Sequence, residues 1–459
     1  MGLDWLMERW RAHPDAPALL RGEQIVRYDD LMAGCARWAE RLKADGVAAG
    51  QAVLFDAGLD GDSVALLIAL LDHGCIAIPL TPNAVVRPDA AKEIAQPSWI
   101  YARGTADVVA PPRGADSIWT THAFPAAATH ALYEQCREAG QGGLIIFTSG
   151  STGVPKASLH RADRFLSKFQ KPHPALRTVL VLPFDHMAGL DSLWYALTSG
   201  AGVVIPESTD PDGICAAITR HQAELLPATP SLLNIMWLSG GLSRHDVSSL
   251  KIITYGAEVM PEITLSRLRE VLPRCRFIQK YGATEFGSPP TRSREDGSLW
   301  FRVSGGDVDI KVVDGTLWIR SPSSMIGYLN APSPIDAEGW INTGDRVEVD
   351  GDFIRVLGRQ SELINVGGQK VNPAEVENVL LAADNIRDAV VSGEKNPILG
   401  HTVAATVRLV NPEEPGALRH RLRVFCRDRL PREAIPVRIE IADDQTWNSR
   451  YKKIRQQTG

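Results

Sequence analysis

Short apolar runs alternate with segments of helical periodicity along most of this chain, and that alternation limits the folds open to it more than any other feature. Residues 63–72 have helical spacing, and runs typical of buried strands lie at 52–56, 75–79, 144–148, 179–182 and 203–206. Nearly continuous apolar strands are typical of sheets covered on both faces. The pattern therefore predicts an α/β protein with largely covered sheets.

One predicted unit also indicates where a ligand would bind. A strand over 250–255, a helix over 261–272 that a proline opens, and a strand over 276–281 follow one another. In parallel sheets, ligands bind outside the carboxyl ends of the strands. The segments Gly256-Ala257-Glu258 and Gly282-Ala283-Thr284-Glu285 directly follow the two strands. We therefore expect both segments to border one pocket.

Beyond residue 300 the pattern changes to short alternating strands with acidic turns. These strands are predicted over 308–313, 316–320, 346–349 and 353–357, with Asp314-Gly315 and Asp350-Gly351 as hairpin turns. They predict a small β-subdomain. A separate set follows, with helices over 372–382 and 415–429 and strands near 389–391 and 403–409. We place a boundary after Gly358, giving a large N-terminal domain of residues 1–358 and a small α+β C-terminal domain of residues 359–459.

Composition and charge exclude several classes of partner. Lys and Arg total 49 against 54 Asp and Glu, a net charge of −5, and no long block of one sign occurs. Neither nucleic acid nor a membrane surface is expected as a partner. The most apolar stretch, 64–80, is interrupted by Asp72 and His73, so no membrane span is predicted. The six cysteines are widely spaced and the N-terminus has no apolar signal core, which predicts buried thiols in a cytoplasmic protein.

A loop rich in glycine and hydroxyl residues follows the predicted strand at 144–148. It reads Thr148-Ser149-Gly150-Ser151-Thr152-Gly153-Val154-Pro155-Lys156. Backbone N–H groups, hydroxyls and one ammonium together suit a polyphosphate. The loop differs from the P-loop of kinases and GTPases, because Val154-Pro155 separate the last glycine from the lysine. A surface linker is the alternative, and the apolar strand directly before the loop argues against it.

The segment from Phe147 to Lys156 resembles the phosphate-loop signature of the adenylate-forming enzymes, which include acyl- and aryl-CoA synthetases, peptide-synthetase adenylation domains and luciferases. Five further segments resemble motifs of that family in the family's order: 182–186 (LPFDH), 281–285 (YGATE), 343–345 (TGD), 358–377 with its Gly-Arg, Gly-Gly and V-x-P-x-E-V-E sequences, and 448–455 (NSRYKKIR). The resemblance covers about residues 15–457. It implies that the C-terminal domain is mobile relative to the N-terminal one.

The resemblance also implies a site for ATP and Mg²⁺. The loop from Thr148 to Gly153, with Lys156, would hold the phosphates; Thr284 would bond the α-phosphate, and the hard carboxylate oxygen of Glu285 would bind Mg²⁺. The remaining implied nucleotide contacts are Gly256, Ala257, Glu258, Tyr281 and Gly282 around adenine, Asp345 on the ribose hydroxyls, and Arg359. Taken alone, Tyr281 would be a core residue, Asp345 a hairpin acid and Arg359 a partner in a hinge salt bridge.

The family's catalytic lysine is matched at Lys452. The resemblance implies that this ammonium stabilises charge on the α-phosphate and the attacking carboxylate. Tyr451 stands where the family normally has glycine, so Lys453 remains the alternative. Lys452 is favoured because Asn448 and Arg455 then fall at the family's spacing. Without the resemblance, this basic segment would be interpreted as a solvated tail.

The acid pocket is predicted from His186, Met187, Thr229 and Ser231. His186 is interpreted as a pocket residue rather than as an acid–base catalyst. Amino-acid-activating relatives have aspartate where Met187 stands, so Met187 predicts an acid without an α-amino group; Asp185 and Asp191 weaken that inference if the register is wrong. The mostly apolar surroundings favour a small aryl, cyclic or medium acyl acid.

These assignments imply an ATP-dependent carboxylic acid ligase. A carboxylate would attack Mg-ATP to give an acyl-adenylate and pyrophosphate. The C-terminal domain would then rotate near residues 360–362, and Gly367-Gly368 would let a pantetheine arm approach. Coenzyme A is the simplest acceptor; an acyl carrier protein or the amine of an amino acid is the alternative. A non-catalytic nucleotide-binding protein is the candidate from another class.

Overall fold

The computed structural model describes residues 2–103, 119–124, 130–148, 154–305 and 307–442. Strands and helices alternate up to residue 279, as predicted. The strands there are β1 (Pro17–Arg21), β2 (Gln24–Arg27), β3 (Ala52–Asp56), β4 (Ile76–Leu80), β5 (Trp99–Arg103), β6 (Trp119–Ala123), β7 (Gly143–Thr148), β8 (Lys156–Arg161), β9 (Thr178–Val179), β10 (Val203–Val204), β11 (Leu225–Ala228), β12 (Ile252–Tyr255) and β13 (Arg276–Gln279).

The helices between these strands cover the sheets. They are α1 (Asp4–Arg11), α2 (Tyr28–Asp45), α3 (Gly61–Asp72), α4 (Pro88–Ala95), α5 (Glu134–Glu138), α6 (Ala162–Leu166), α7 (Met187–Thr198), α8 (Pro211–His221), α9 (Pro230–Leu238), α10 (Gly241–Arg244) and α11 (Glu262–Val271). No helix in the described part of the chain has the length and apolarity that a membrane crossing requires.

Two sheets form the body of the N-terminal region. The first has the strand order β13-β12-β11-β9-β10-β1-β2, parallel except at β1–β2. In the second, β7-β4-β3-β5 are parallel, and antiparallel strands β8 and β6 flank them. Helix α3 packs in a core shared by both sheets, and each of its residues 64–71 is at most 4% exposed. A helix covered on all sides is apolar all round, which explains the uninterrupted hydrophobic run.

A third, antiparallel sheet forms the predicted β-subdomain. Its strands are β14 (Thr291–Ser293), β15 (Phe301–Val303), β16 (Asp309–Val313), β17 (Thr316–Arg320), β19 (Ile341–Asp350) and β20 (Phe353–Arg359), while the short β18 (Gly327–Tyr328) pairs with β8 in the second sheet.

The two predicted hairpin turns differ in outcome. Asp314 and Gly315 have φ values of +51° and +73° between β16 and β17, which confirms that turn. The prediction of Asp350-Gly351 was wrong by one residue, because Asp350 still pairs with Phe353. The loop positions are Gly351 and Asp352, and the glycine occupies the left-handed position at φ +59°.

The C-terminal region has a sheet of its own. Its elements are β21 (Ile364–Val366), β22 (Gln369–Val371), α12 (Pro373–Leu381), β23 (Ile386–Asn396), β24 (Gly400–Leu409), α13 (Pro415–Arg427) and β25 (Arg438–Ile441). Its apolar side chains form a separate core. The chain leaves β20 at Arg359 and passes through a short 3₁₀ turn at Gln360–Glu362 before β21 begins.

Helix α12 packs against the N-terminal region. The Arg267 guanidinium of α11 donates a 3.3 Å hydrogen bond to the carbonyl of Leu381. The Asn372 side-chain amide, which precedes α12, donates a 2.8 Å hydrogen bond to the carbonyl of Leu357 in β20. These contacts place α12 opposite the carboxyl ends of β12 and β13.

Candidate active site

The carboxyl ends of three parallel strands lie side by side at one edge of the first sheet. Strand β12 pairs in register with β11 on one side and with β13 on the other. The chain segments that leave these strands enclose a cavity of about 230 Å³, which α12 closes from the other side. Its lining residues are Pro230, Ser231, Asn234, Ala257, Glu258, Val259, Pro261, Thr264, Gln279, Lys280, Tyr281, Gly282, Asp345, Val356, Gly358, Arg359, Glu362, Ala374, Glu377, Asn378, Leu381 and Asp388.

Gly256 brings two of these segments together. A Cβ atom at this position would lie 2.6 Å from the carbonyl oxygen of Lys280, closer than any side chain tolerates. The following residue, Ala257, has a φ of +68°, a left-handed conformation unusual for a residue with a Cβ. The close approach therefore needs glycine at position 256, and it sets the width of the cavity between the ends of β12 and β13.

Glu258 and Ser231 form a direct pair across the cavity wall. The Ser231 hydroxyl donates a 2.6 Å hydrogen bond to Oε2 of Glu258, and the Ser231 backbone N–H donates to the same oxygen at 3.2 Å. The sequence assigned Ser231 to the acid pocket and Glu258 to the ATP site. The structure places both residues in one hydrogen-bonded contact that joins the ends of β11 and β12.

A network of polar contacts on the cavity wall joins Tyr281, Asp345 and Arg359. The Tyr281 hydroxyl donates a 2.7 Å hydrogen bond to Oδ2 of Asp345, and Nε of Arg359 lies 3.4 Å from Oδ1. Asp345 and Arg359 are cross-strand partners on β19 and β20. Burial raises the pKa of Asp345, although Arg359 and the Tyr281 hydroxyl act to lower it. The fold therefore keeps a carboxylate at the cavity wall although burying its charge costs free energy. At this position it could accept hydrogen bonds from ribose hydroxyls.

The Tyr281 ring belongs both to the core and to the cavity. It stacks on Phe286 with 5.6 Å between ring centroids, and Phe301 lies 5.7 Å away in a tilted arrangement. Burial, followed by the nearby Asp345 charge, raises the Tyr281 pKa well above its usual range. The hydroxyl therefore stays protonated and remains a donor to the carboxylate.

Three acceptor atoms in the cavity lining have no hydrogen-bond partner among the described residues. They are Oδ1 of Asn234, Oγ1 of Thr264 and Oε1 of Gln279. Buried polar atoms in native proteins nearly always have a partner, so such atoms around a cavity indicate a polar occupant. The amino group of adenine can donate to an amide oxygen such as those of Asn234 and Gln279, and the Thr264 hydroxyl can donate to a ring nitrogen. The cavity thus fits the nucleotide that the sequence predicts, and the sequence reasoning missed these three residues.

The predicted phosphate loop begins and ends on antiparallel strands. Thr148 at the end of β7 pairs with Lys156 at the start of β8. Residues Ser149, Gly150, Ser151, Thr152 and Gly153 lie outside the described part of the chain. The Lys156 ammonium lies 5.2 Å from the centre of the Tyr328 ring, at a distance where a cation interacts with an aromatic face.

Tyr328 connects this lysine to Glu285. The Tyr328 hydroxyl donates a short hydrogen bond to Oε1 of Glu285, and burial followed by the Glu285 charge raises the Tyr328 pKa far above its usual range. Thr284 beside it is buried. Glu285 is the carboxylate proposed to bind Mg²⁺, and no group of three or more metal-binding side chains occurs in the described residues.

Other predicted residues have structural roles at helix starts. The Nδ1 atom of His186 accepts a 3.2 Å hydrogen bond from the Ala188 N–H and caps α7, and Thr229 caps α9 through the Leu232 N–H at 3.1 Å. Met187 is buried in the core around α3. None of these three residues is in the lining of the described cavity.

One predicted part of the site is absent from the cavity lining, and another lies outside the described residues. Gly367 and Gly368 form an exposed turn between β21 and β22, with φ values of +57° and +93°. Lys452 and Lys453 lie outside the described residues. On the C-terminal side, the structure adds Glu377 and Asp388 to the lining; both are buried. Glu377 is the last residue of the V-x-P-x-E-V-E sequence, for which the sequence predicted no role at the site, and no motif pointed to Asp388.

The chain matches the models of two protein families, one in its N-terminal part and one in its C-terminal part. The one described as AMP-binding enzyme matches residues 114–329, and the one described as AMP-binding enzyme C-terminal domain matches residues 375–449. The chain belongs to the adenylate-forming, AMP-binding enzymes. Its membership and its mixed α/β fold confirm the resemblance seen in the sequence motifs. This adenylate-forming enzyme is accordingly an AMP-forming acid ligase.

Several characterised proteins are similar to this adenylate-forming enzyme over most of their length. The 2-succinylbenzoate–CoA ligase of Bacillus subtilis (strain 168) is 25% identical, covering 99% of this chain and 97% of the relative. A medium/long-chain-fatty-acid–[acyl-carrier-protein] ligase of Mycobacterium tuberculosis is 27% identical, covering 96% and 92%. The solved o-succinylbenzoate CoA synthetase of Bacillus subtilis, in complex with an acyl-adenylate intermediate, has a TM-score of 0.75 at 24% identity and covers 99% and 97%.

Proposed function

We propose that this adenylate-forming enzyme is an acyl- or aryl-CoA ligase, which joins a carboxylic acid to the thiol of coenzyme A. The observation that carries the proposal is the cavity at the ends of β11, β12 and β13, where Asp345 is positioned between Tyr281 and Arg359. Support for the thiol acceptor comes from the full-length similarity to a CoA ligase.

In the first half-reaction, a carboxylate oxygen of the acid attacks the α-phosphorus of ATP. The bond from that phosphorus to the bridging oxygen breaks, and pyrophosphate leaves with the electron pair. The Thr284 hydroxyl and the Lys452 ammonium stabilise the charge that develops on the α-phosphate. The loop 149–153 and Lys156 hold the departing phosphates. Mg²⁺ bound at Glu285 would supply the further positive charge that the phosphates require.

In the second half-reaction, the sulfur of coenzyme A attacks the acyl carbonyl carbon of the adenylate. The carbon–oxygen bond to AMP breaks, and a thioester and AMP are the products. We place the pivot for this step at Gln360–Glu362, between β20 and β21. Rotation of the C-terminal domain, residues 359–459, would bring Gly367 and Gly368 to the cavity, where the absence of side chains leaves room for a pantetheine arm.

The acid binds beyond the α-phosphate, on the side of α7 and α9. The four residues predicted for the acid pocket, His186, Met187, Thr229 and Ser231, lie at the starts of these two helices, and Ser231 is the one of the four that lines the described cavity. An ammonium group would need a free carboxylate in this region, but Asp191 on α7 already forms an ion pair with Lys168. This pair supports an acid without an α-amino group, and an aryl, cyclic or medium acyl body suits the apolar side chains.

Acid-dependent exchange of pyrophosphate into ATP, measured without any acceptor, tests the first half-reaction. Exchange with aryl, cyclic or fatty acids supports the proposal, whereas ATP binding without exchange across such a panel would favour a non-catalytic nucleotide-binding protein. Offering coenzyme A, an acyl carrier protein and amines in parallel then identifies the acceptor. A thioester formed only on the carrier protein, as the relative from Mycobacterium tuberculosis is named for, or an amide, would replace the coenzyme A assignment.

A further inference from the structure

Two arginines reach across the contact between the N-terminal and C-terminal regions, one from each side. Nη2 of Arg267, on α11, donates a 3.3 Å hydrogen bond to the carbonyl of Leu381, the last residue of α12. Nη2 of Arg387, on β23, donates in the opposite direction, to the carbonyl of Leu238 at 3.5 Å, and Leu238 is the last residue of α9. Each region therefore caps the carboxyl end of a helix in the other region.

The carboxyl end of a helix is a suitable partner for a guanidinium group. The last carbonyls of an α-helix have no donor within the helix, and the helix dipole places partial negative charge there. Arg267 also contacts the end of α9, because its guanidinium carbon lies 4.9 Å from the centre of the Trp237 ring. Both arginines therefore contact the carboxyl end of α9, at Trp237 and Leu238.

The contacts of these arginines are weak enough to separate. Both hydrogen bonds are longer than the usual N–H···O distance of about 2.9–3.0 Å. Nη1 of Arg267 is buried with no hydrogen-bond partner among the described residues, and an unpaired buried donor costs free energy that contact with water would recover. Ile263 of α11 supplies an apolar part of the same contact, since it packs against the C-terminal core. The interface can thus hold the two regions together and still open in each catalytic cycle.

The contacts act on two helices that border the nucleotide cavity. Leu381 itself lines the cavity, and α9 contributes Asn234, which lies about one turn before the contacted end of that helix. In the same structure Gly367 and Gly368 are exposed and absent from the cavity lining. The orientation that the two arginines stabilise therefore covers the cavity with α12 and does not present the two glycines to it.

We infer that Arg267 and Arg387 are positioning residues, which hold the C-terminal region over the nucleotide cavity for the first half-reaction and must release it before the second. This inference rests on the proposed two-step function. Removal of either guanidinium should affect the two half-reactions differently, because only the first one uses the orientation that the arginines stabilise.

The test measures the two half-reactions separately in Arg267→Met, Arg387→Met and the double variant. Methionine keeps an unbranched apolar side chain and removes the hydrogen-bond donors. The first half-reaction is followed by pyrophosphate exchange, and the second by thioester formation from coenzyme A and a synthetic acyl-adenylate of the acid most active in exchange. We expect exchange to slow about fivefold in each single variant and about twentyfold in the double variant, because the two hydrogen bonds are separate. The second half-reaction should keep its rate or become faster.

Arg269→Met and Arg438→Met are the matched controls, because each of these arginines forms an ion pair within its own region. Arg269, on the same helix as Arg267, lies 3.8 Å from Asp296, and Arg438 lies 2.5 Å from Glu394. Both controls should match the wild type in both half-reactions. Unchanged pyrophosphate exchange in the double variant would overturn the inference. Equal losses in both half-reactions, as a folding defect would give, would overturn it as well.

Hydrogen–deuterium exchange tests the same contact without any turnover. In the double variant, the amides at the ends of α9 and α12, residues 235–238 and 378–381, should exchange faster than in the wild type, whereas those of residues 418–426 in α13 should not change. Unchanged protection at both helix ends would overturn the inference. If the wild-type enzyme shows no pyrophosphate exchange with any acid, the proposed function is wrong, and the deuterium measurement still decides whether the two arginines hold the regions together.

Discussion

The Tyr328 hydroxyl donates a hydrogen bond to the carboxylate of Glu285, while the face of the same ring lies 5.2 Å from the Lys156 ammonium. One tyrosine thus contacts both the residue proposed to bind Mg²⁺ and the lysine at the end of the phosphate loop. It is held there because β18 pairs with β8, the strand that Lys156 begins. The Asn330 side chain fixes the same junction, since it donates to the carbonyl of Pro155 at 2.8 Å and accepts from the Ala157 N–H at 3.0 Å.

Tyr328→Phe should slow pyrophosphate exchange about tenfold to a hundredfold, because a hydrogen bond to a charged group contributes about 1.5–3 kcal/mol. The apparent affinity for Mg²⁺ should fall in the same variant, which a Mg²⁺ titration of the exchange rate measures. Tyr133→Phe is the control, since the buried Tyr133 hydroxyl donates to the Ala95 carbonyl at 2.5 Å outside the cavity lining. Equal losses in both variants would contradict a specific role for Tyr328.

Asp345→Asn should raise the free energy of unfolding at neutral pH while impairing ATP binding. The folded-state pKa of Asp345 lies above its ordinary value of 3.8, chiefly because of burial. The contribution of Asp345 to the free energy of unfolding is therefore fully present at pH values below its ordinary pKa, and it is lost as the pH rises through the raised pKa of the folded state. Each unit of pKa shift corresponds to about 1.4 kcal/mol. Denaturant unfolding as a function of pH should show the stabilising effect of the variant shrinking in acid. A variant that is less stable at neutral pH would show that the Tyr281 and Arg359 contacts outweigh the cost of burial.

Gly256→Ala should abolish most exchange activity and destabilise the N-terminal domain by about 1–3 kcal/mol, because the new Cβ would meet the Lys280 carbonyl at 2.6 Å. Gly416→Ala, in the first turn of α13, is the control, since its Cβ would meet only the flexible Glu414 carboxylate at 3.0 Å. Thermal unfolding and the KM for ATP are the measurements, and an unchanged KM in Gly256→Ala would refute the proposed spacing role.

His160 should make the protein acid-sensitive. This histidine of β8 is 1% exposed, and burial lowers its pKa from 6.5 to about 4. The neutral His160 therefore contributes to stability at pH values above its ordinary pKa of 6.5, and this contribution is lost as the pH falls through the folded-state pKa of about 4. The free energy of unfolding changes by roughly 3 kcal/mol across this window. In His160→Gln, the fall in unfolding free energy across this window should be smaller than in the wild type. Parallel pH profiles would show that other groups control the acid sensitivity.

The order of elements could be predicted from the sequence because each covered strand and helix carries its own apolar signal. The run 52–56 became β3 with the same bounds, and the predicted helix at 261–272 became α11, with Pro261 at its N-cap. Short strands were overestimated: the run at 179–182 pairs only as far as Val179. Edge pairing depends on neighbours distant in the sequence, which a local pattern does not contain.

The sequence predicted the site residues that belong to a recognisable motif. It did not predict the contacts that form when distant segments of the chain pack together. Tyr281 and Asp345 are 64 residues apart, and the sequence did not indicate their hydrogen bond. Tyr328 belongs to no quoted motif and is positioned near Glu285 by the β18–β8 pairing and by the hydrogen bond from the Met325 N–H to the Glu285 carbonyl.

In the proposed mechanism, Arg359 would connect a bound nucleotide to the pivot at Gln360–Glu362. It is the last residue of β20, the cross-strand partner of Asp345, and the residue before the Gln360–Glu362 turn. A rotation about that turn would therefore move the Arg359 guanidinium relative to the Asp345 carboxylate, which is proposed to bind the ribose. Linkage then makes the effect reciprocal: the factor by which one domain orientation tightens AMP binding is the factor by which AMP favours that orientation. Release of AMP and the return of the C-terminal domain would thus be two aspects of a single equilibrium.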